Sequence, residues 1–148
     1  MITSATTIRK RIERKGAVVE RRAHRRHDLQ QQSIPVERCD VRSKAGVVVG
    51  QIVDMSSGGM RIRTTTPVRA DQQIRLRLKL PSYAGISPFI DTATGAARPK
   101  NEWIGWMAVS RVSKVDDKHY DLGGRLIEMD DLDRGMLGLY LSTQPLAA

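Results

Sequence analysis

Two short stretches of this 148-residue chain carry residue types whose spacing can do chemistry. The first, Glu20-Arg21-Arg22-Ala23-His24-Arg25-Arg26, contains an R-x-x-x-R spacing twice, as Arg22/Arg26 and as Arg21/Arg25. The second, Asp54-Met55-Ser56-Ser57-Gly58-Gly59, is a D-x-S-x-x-G. A guanidinium is planar and permanently charged. It forks onto phosphate oxygens, and it can stack on a base or bond guanine O6 and N7. The Asp54 carboxylate only accepts, which suits a ligand edge with two adjacent donors such as guanine N1–H and N2–H; the Ser56 hydroxyl donates or accepts beside it. Gly59 lets the backbone take a positive φ or lets a ligand approach closely. Together the two stretches fit a ligand that offers both phosphates and guanines. Each also has a plainer reading: R-x-x-x-R arises in any arginine-rich arm, and Asp and Ser in such a turn commonly bond nearby backbone amides.

The charge distribution agrees with an anionic ligand. The chain holds 25 Lys+Arg against 16 Asp+Glu, a net charge of +9. Residues 1–38 contain ten basic and four acidic residues, a net of +6, so two-thirds of the excess lies in the first quarter of the chain. Nucleic acid, a membrane surface and a small phosphorylated ligand all satisfy that excess. Aromatics make up 4% of the sequence, which argues against a single-strand binder built on several stacking platforms. No apolar run approaches the roughly 18 residues of a spanning helix, and Met1–Ile8 lacks the apolar stretch of a secretory signal, so a cytoplasmic protein is expected. The lone Cys39 cannot form an internal disulfide.

Ile8–Val19 carries a thin apolar stripe interrupted by Gly16 and predicts a marginal helix in a basic extension, residues 1–19. Glu20–Gln32 is polar and arginine-rich, an arm that orders only against something else. From Ile34 the pattern becomes short β-branched or alternating runs: Val36–Val41, Val47–Val53, Met60–Thr65 and Ile74–Leu80. The last alternates four aliphatics with Arg75, Arg77 and Lys79, a half-buried strand whose cations form a solvated face. Ser82–Asn101 reads as a long inserted loop. Trp103–Val115 and His119–Ile127 form a hairpin around Asp116-Asp117-Lys118. Trp103 and Trp106, three apart, face opposite sides: one belongs to the core, and the other can stack on a guanine or cap the barrel. A helix over 131–142, capped by Asp130 or Asp131, places Leu132, Met136, Leu139 and Tyr140 on one face. These elements predict a mainly β fold: a small six-stranded antiparallel β-barrel with a C-terminal helix and a flexible basic N-terminal arm. The domain spans 20–143, with the arm at 20–33 and a short tail at 144–148.

An R-x-x-x-R arm, a strand or hairpin, D-x-S-x-x-G, a small barrel and a C-terminal helix is the order seen in PilZ domains, and this sequence resembles that family from about Glu20 to Leu141. Val109–Val115 followed by Tyr120-Asp121-Leu122-Gly123-Gly124-Arg125-Leu126 is similar to the family's final hairpin. The resemblance implies binding of the second messenger cyclic di-GMP, with Arg22 and Arg26 as the arginine pair, Arg21 as the extra arginine often found before it, and Asp54, Ser56 and Gly59 as the second motif. In the family the arginines hold phosphates and stack on or bond guanine, Asp and Ser read guanine, and the arm folds over the ligand. The doubled register leaves Arg21/Arg25 as the other working pair, which makes Arg25 an additional candidate. His27 stands where the family usually has an aliphatic anchor. Asp28–Ser33 and the loop Ser82–Asn101 are longer than a minimal domain needs.

No Ser/His/Asp or Cys/His set comes with a nucleophile motif, and Asp54 beside Ser56 lacks a base, so no catalysis is expected. His24, His27 and Cys39 match no zinc spacing; neither a metal nor a cofactor is expected. The expected protein is a cyclic di-GMP receptor whose arm signals to a downstream protein partner, nucleic acid being disfavoured. The competing classes are an interaction module that has lost its ligand and a basic nucleic-acid-binding barrel.

Overall fold

The computed structural model describes residues 25–39 and 46–147; the expected helix over Ile8–Val19 and the arginines Arg21 and Arg22 lie outside the described residues. Among the described residues, nine strands and one α-helix follow in chain order: β1 (His27–Asp28), β2 (Pro35–Cys39), β3 (Gly46–Met55), β4 (Gly59–Thr64), β5 (Gln73–Lys79), β6 (Phe89–Asp91), β7 (Arg98–Lys100), β8 (Glu102–Lys114), β9 (Tyr120–Ile127) and α1 (Asp131–Leu141). A single-turn 3-10 helix at Gln30–Gln32 follows β1. Six strands form an antiparallel barrel in the order β3-β2-β5-β8-β9-β4, closed by pairing of β3 with β4. The two-residue β1 adds to the end of β3 outside that ring. The predicted six-stranded barrel with a C-terminal helix is therefore the observed fold.

Period-two alternation explains most of the barrel. In β5 and the residue after it, Ile74, Leu76, Leu78 and Leu80 all point into the core. The core continues through Val36, Ile52, Met60, Ile62, Met107, Val109, Leu122 and Leu126 on the other strands. The cations of β5 are less uniform than a solvated face. Arg77 pairs with Glu37 on β2 at 3.3 Å and with Glu102 on β8 at 2.7 Å, tying three adjacent strands across the outside of the barrel.

Three expectations change. Ser82–Asn101 is not a bare loop: Phe89–Asp91 and Arg98–Lys100 pair as a hairpin, and Phe89 is fully buried against Trp103 with ring centroids 6.5 Å apart. A continuous period is absent from the sequence there because each strand is three residues long. The helix turns a different face inward. Asp130 caps it by accepting from the Asp133 amide, as expected. Its buried residues, however, are Asp133, Leu137, Tyr140 and Leu141, while Leu132 and Leu139 are 48% and 51% exposed. The helix rotation is fixed by polar contacts that apolar periodicity does not register: Asp133 Oδ1 accepts from the Ile90 amide on β6, and Arg134 reaches two backbone carbonyls. Finally, the arm from Arg25 onward already rests on the barrel. Leu29 is fully buried and its amide donates to the Val53 carbonyl, so it supplies the apolar anchor that His27 does not.

Candidate functional site

The turn between β3 and β4 is built by its own side chains. Met55 pairs with Met60 across it, and Ser56 closes it: Ser56 Oγ accepts from the amides of Gly58 at 3.2 Å and Gly59 at 3.1 Å. Ser56 therefore performs the turn-forming role open to it from sequence, with the Gly58 and Gly59 amides held on its oxygen. Gly59 does not take the positive φ that was one of the two roles open to it. Its backbone lies close to β9: a Cβ there would stand 2.4 Å from the Gly124 carbonyl oxygen. Its lack of a side chain lets β4 pack tightly on β9 and so holds the turn against the barrel wall.

Asp54 is buried at the end of β3, one residue inside the turn. Both carboxylate oxygens are engaged. Arg26 Nη1 donates to Oδ1 at 2.9 Å, and Arg61 Nη2 on β4 approaches Oδ2 at 2.9 Å. Arg61 extends this into a ladder, because its other nitrogen lies 4.0 Å from Asp121 on β9. Asp121 in turn accepts a two-pronged contact from Arg63, at 2.9 and 3.1 Å. The hydrogen bond from Arg63 to Asp121 raises the Arg63 pKa further, so this guanidinium stays charged. Alternating Arg-Asp-Arg-Asp-Arg charges across β3, β4 and β9 satisfy two buried carboxylates that would otherwise be costly to bury.

Beside the turn lies a cavity of about 430 Å³, a size ordinary for small-molecule sites. Its floor includes Ser56, Gly58 and Gly59, and four arginines reach its wall: Arg26 from the arm, Arg111 from β8, Arg125 from β9 and Arg134 from α1. No carboxylate lines it among the described residues. Arg134 is committed to structure, with Nη1 donating to the Ser57 carbonyl at 2.7 Å and Nη2 to the Leu126 carbonyl at 3.3 Å. Arg111 and Arg125 are exposed and have no acidic partner among the described residues.

The two sequence motifs thus meet in space. Arg26 and Asp54, 28 residues apart, are in contact; Arg26 lines the cavity together with Ser56 and Gly59, while Asp54 is not among the lining residues and reaches the cavity only through Arg26. Arg25, the other register of the arginine pair, is exposed and does not line the cavity. Trp103 is core and Trp106 is half-buried away from the cavity wall. His27 Nδ1 meets the Gln144 carbonyl at 3.0 Å, and Cys39 is buried and free.

Sequence reasoning missed Arg61, Arg111, Arg125 and Arg134. Arg61 was countable: with Met55 opposite Met60, the next pair outward is Asp54 opposite Arg61. Arg111 follows a register shift between Val109 and Arg111 in β8, and no local pattern announces such an irregularity.

Residues 20–90 match the family model described as PilZ domain. No curated protein sequence matches the chain. Among solved structures, the inhibitor of motility (MotI/DgrA) of Bacillus subtilis matches with a TM-score of 0.59 at 14% identity, covering 84% of this chain and 51% of its own. The PilZ domain of YcgR from Escherichia coli, solved with c-di-GMP, matches with a TM-score of 0.55 at 12% identity over 83% of this chain and 91% of its own. The K. pneumonia MrkH–c-di-GMP complex matches with a TM-score of 0.59 at 18% identity over 84% of this chain and 52% of its own. This chain spans about half the length of the first and third of these, and the likeness to all three is one of fold.

Proposed function

Because this chain belongs, through residues 20–90, to the PilZ domain family, we propose that it is a receptor for cyclic di-GMP rather than an enzyme. The observation that carries the reading is the contact of Asp54 with Arg26, which lines a cavity together with three further arginines, Ser56 and Gly59. Two of the solved structures of this fold contain c-di-GMP.

The geometry suggests an exchange of partners. The Arg26 guanidinium is held by Asp54 and is 19% exposed. A ligand phosphate at the cavity mouth offers Arg26 another anion, with the same forked geometry a carboxylate offers. As Arg26 turns to phosphate, Asp54 Oδ1 loses its cation and becomes an acceptor for guanine N1–H and N2–H. Arg61 continues to hold Oδ2 and keeps the carboxylate charged and oriented. Arg21 and Arg22 precede Arg26 on the arm and add phosphate or guanine contacts, with Arg25 as an additional one. Arg111 and Arg125, which have no acidic partner among the described residues, add positive charge to the lining, which raises the local concentration of an anionic ligand. The changed arm is the surface that a downstream protein partner reads.

Calorimetric titration tests the site. Cyclic di-GMP is expected to bind the full chain, and Arg26→Ala and Asp54→Ala are each expected to weaken binding about a hundredfold or more while the barrel stays folded. Unchanged affinity in both variants would refute the site. Thermal shifts with cyclic di-GMP, GTP and a short oligonucleotide, measured side by side, test the ligand class. A shift with the oligonucleotide alone would make this a nucleic-acid-binding barrel, and no shift with any of them an interaction module.

A further inference from the structure

The arm that carries Arg26 is thin. β1 is two residues long, and one of its edges pairs with β3, setting His27 opposite Met55 and Asp28 opposite Asp54. Its other edge is occupied by the end of the chain. After α1 the backbone turns at Ser142–Thr143 and runs antiparallel along the arm: the Asp28 amide donates to the Pro145 carbonyl at 2.8 Å, and the Ala147 amide donates to the Arg26 carbonyl at 3.1 Å. His27 bridges to Leu146 between these bonds. Gln144, itself buried, adds its carbonyl to His27 Nδ1 at 3.0 Å and its side chain to that of Gln32. Residues 26–28 are thus the middle strand of a three-stranded patch whose outer member is Gln144–Ala147.

From this we infer that the tail strand Gln144–Ala147 is a positioning element of the ligand site, holding the arm so that Arg26 lines the cavity and reaches Asp54. The inference rests on the cyclic di-GMP reading for its ligand. A two-residue strand with one open edge would leave backbone groups unpaired and has little burial beyond Leu29 to hold it. The Ala147 amide bonds the carbonyl of the very residue whose guanidinium reaches Asp54, so the tail acts on the Cα from which that guanidinium extends. The tail also leaves directly from α1, whose Arg134 lines the same cavity and binds the carbonyls of Ser57 and Leu126. One rigid helix therefore sets the turn with its first half and the arm with its continuation. Pre-setting the arm reduces the ordering cost of binding, and affinity rises by that amount.

The test compares the full chain with three variants: a truncation ending at Thr143, Ala147→Pro, which removes the amide donor to Arg26, and Leu146→Ser, which alters an exposed side chain while leaving the backbone pairing. Cyclic di-GMP affinity is read by calorimetry, Asp28 amide exchange by NMR, and fold stability by thermal unfolding. The truncation is expected to weaken binding about tenfold, Ala147→Pro about threefold, and Leu146→Ser not at all. Exchange at Asp28 is expected to accelerate at least tenfold in the truncated chain while amides in β5 and β8 keep their protection. Affinity within twofold of the full chain for both the truncation and Ala147→Pro would overturn the inference, whatever the exchange shows. A full chain that fails to bind cyclic di-GMP refutes the ligand reading instead; Asp28 exchange then decides alone whether the tail seats the arm, faster exchange supporting it and unchanged exchange overturning it.

Discussion

The β3–β4 turn and the arginine arm face each other across one carboxylate, yet they are held by different physics. The turn is closed by Ser56, which binds the amides of the same loop, and it is pressed onto β9 by the bare backbone of Gly59 and roped to α1 by Arg134. The arm is held by one buried leucine, a two-residue strand and the chain terminus. A site that must read a ligand gains from a rigid half that sets geometry and a lightly held half that can exchange partners. Asp54 is the hinge between the two, since one of its oxygens is bound from the barrel by Arg61 and the other from the arm by Arg26.

Breaking the rigid half should cost most. Gly59→Ala places a Cβ 2.4 Å from the Gly124 carbonyl oxygen, and both are backbone-fixed, so β4 must move off β9. Destabilisation of about 3 kcal/mol is expected in urea unfolding; a change under about 1 kcal/mol would show that the β4–β9 seam is soft. Arg134→Met keeps the length of the side chain but removes both carbonyl contacts. A loss of about 2 kcal/mol is expected, with faster amide exchange at Gly58 and Gly59.

Smaller effects sharpen the contrast. Tyr140 is fully buried, and its hydroxyl has no partner among the described residues, so Tyr140→Phe is expected to stabilise the chain by about 1 kcal/mol. Burial also pushes the Tyr140 pKa above its ordinary value of 10.0. The folded state prefers the protonated phenol, so its contribution is complete below pH 10 and is lost as pH rises towards the folded-state pKa. The Phe variant is expected to lack that alkaline loss in thermal scans. The smallest effect on the fold belongs to the arm: Arg26→Ala should lower stability by only about 0.5 kcal/mol, because Arg61 still holds the buried Asp54 carboxylate, while binding suffers a hundredfold. Equal losses of stability in Arg26→Ala and Arg134→Met would erase the distinction between the two halves.

Much of the barrel was legible because its strands are local patterns. The alternation from Ile74 to Leu80 and the breaks at Ser56–Gly59 and Asp116–Lys118 mark strands and turns with little reference to the rest of the chain. Both motif segments stood out for the same reason: arginines four apart and D-x-S-x-x-G are read within seven residues. The helix face was misread because its rotation answers to Asp133 on Ile90 and Arg134 on Ser57, contacts with residues 43 and 77 positions away. The β6–β7 hairpin escaped notice because three-residue strands are too short to show a period.

The sequence alone carried the class of fold, the order of the barrel strands and the C-terminal helix, and the two motif segments. Residue type and short-range spacing decide which faces bury and which groups can bind phosphate or guanine. The tertiary structure decided which side chains share the site. Arg26 meets Asp54 because β1 adds to β3 in one register; Arg111, Arg125 and Arg134 converge because a shifted β8–β9 ladder and a helix end at the same cavity. It also turned a tail of no evident character into the strand that seats the arm. Those placements rest on long-range pairings, whose register is set by the closure of the whole barrel, and no window of sequence contains it.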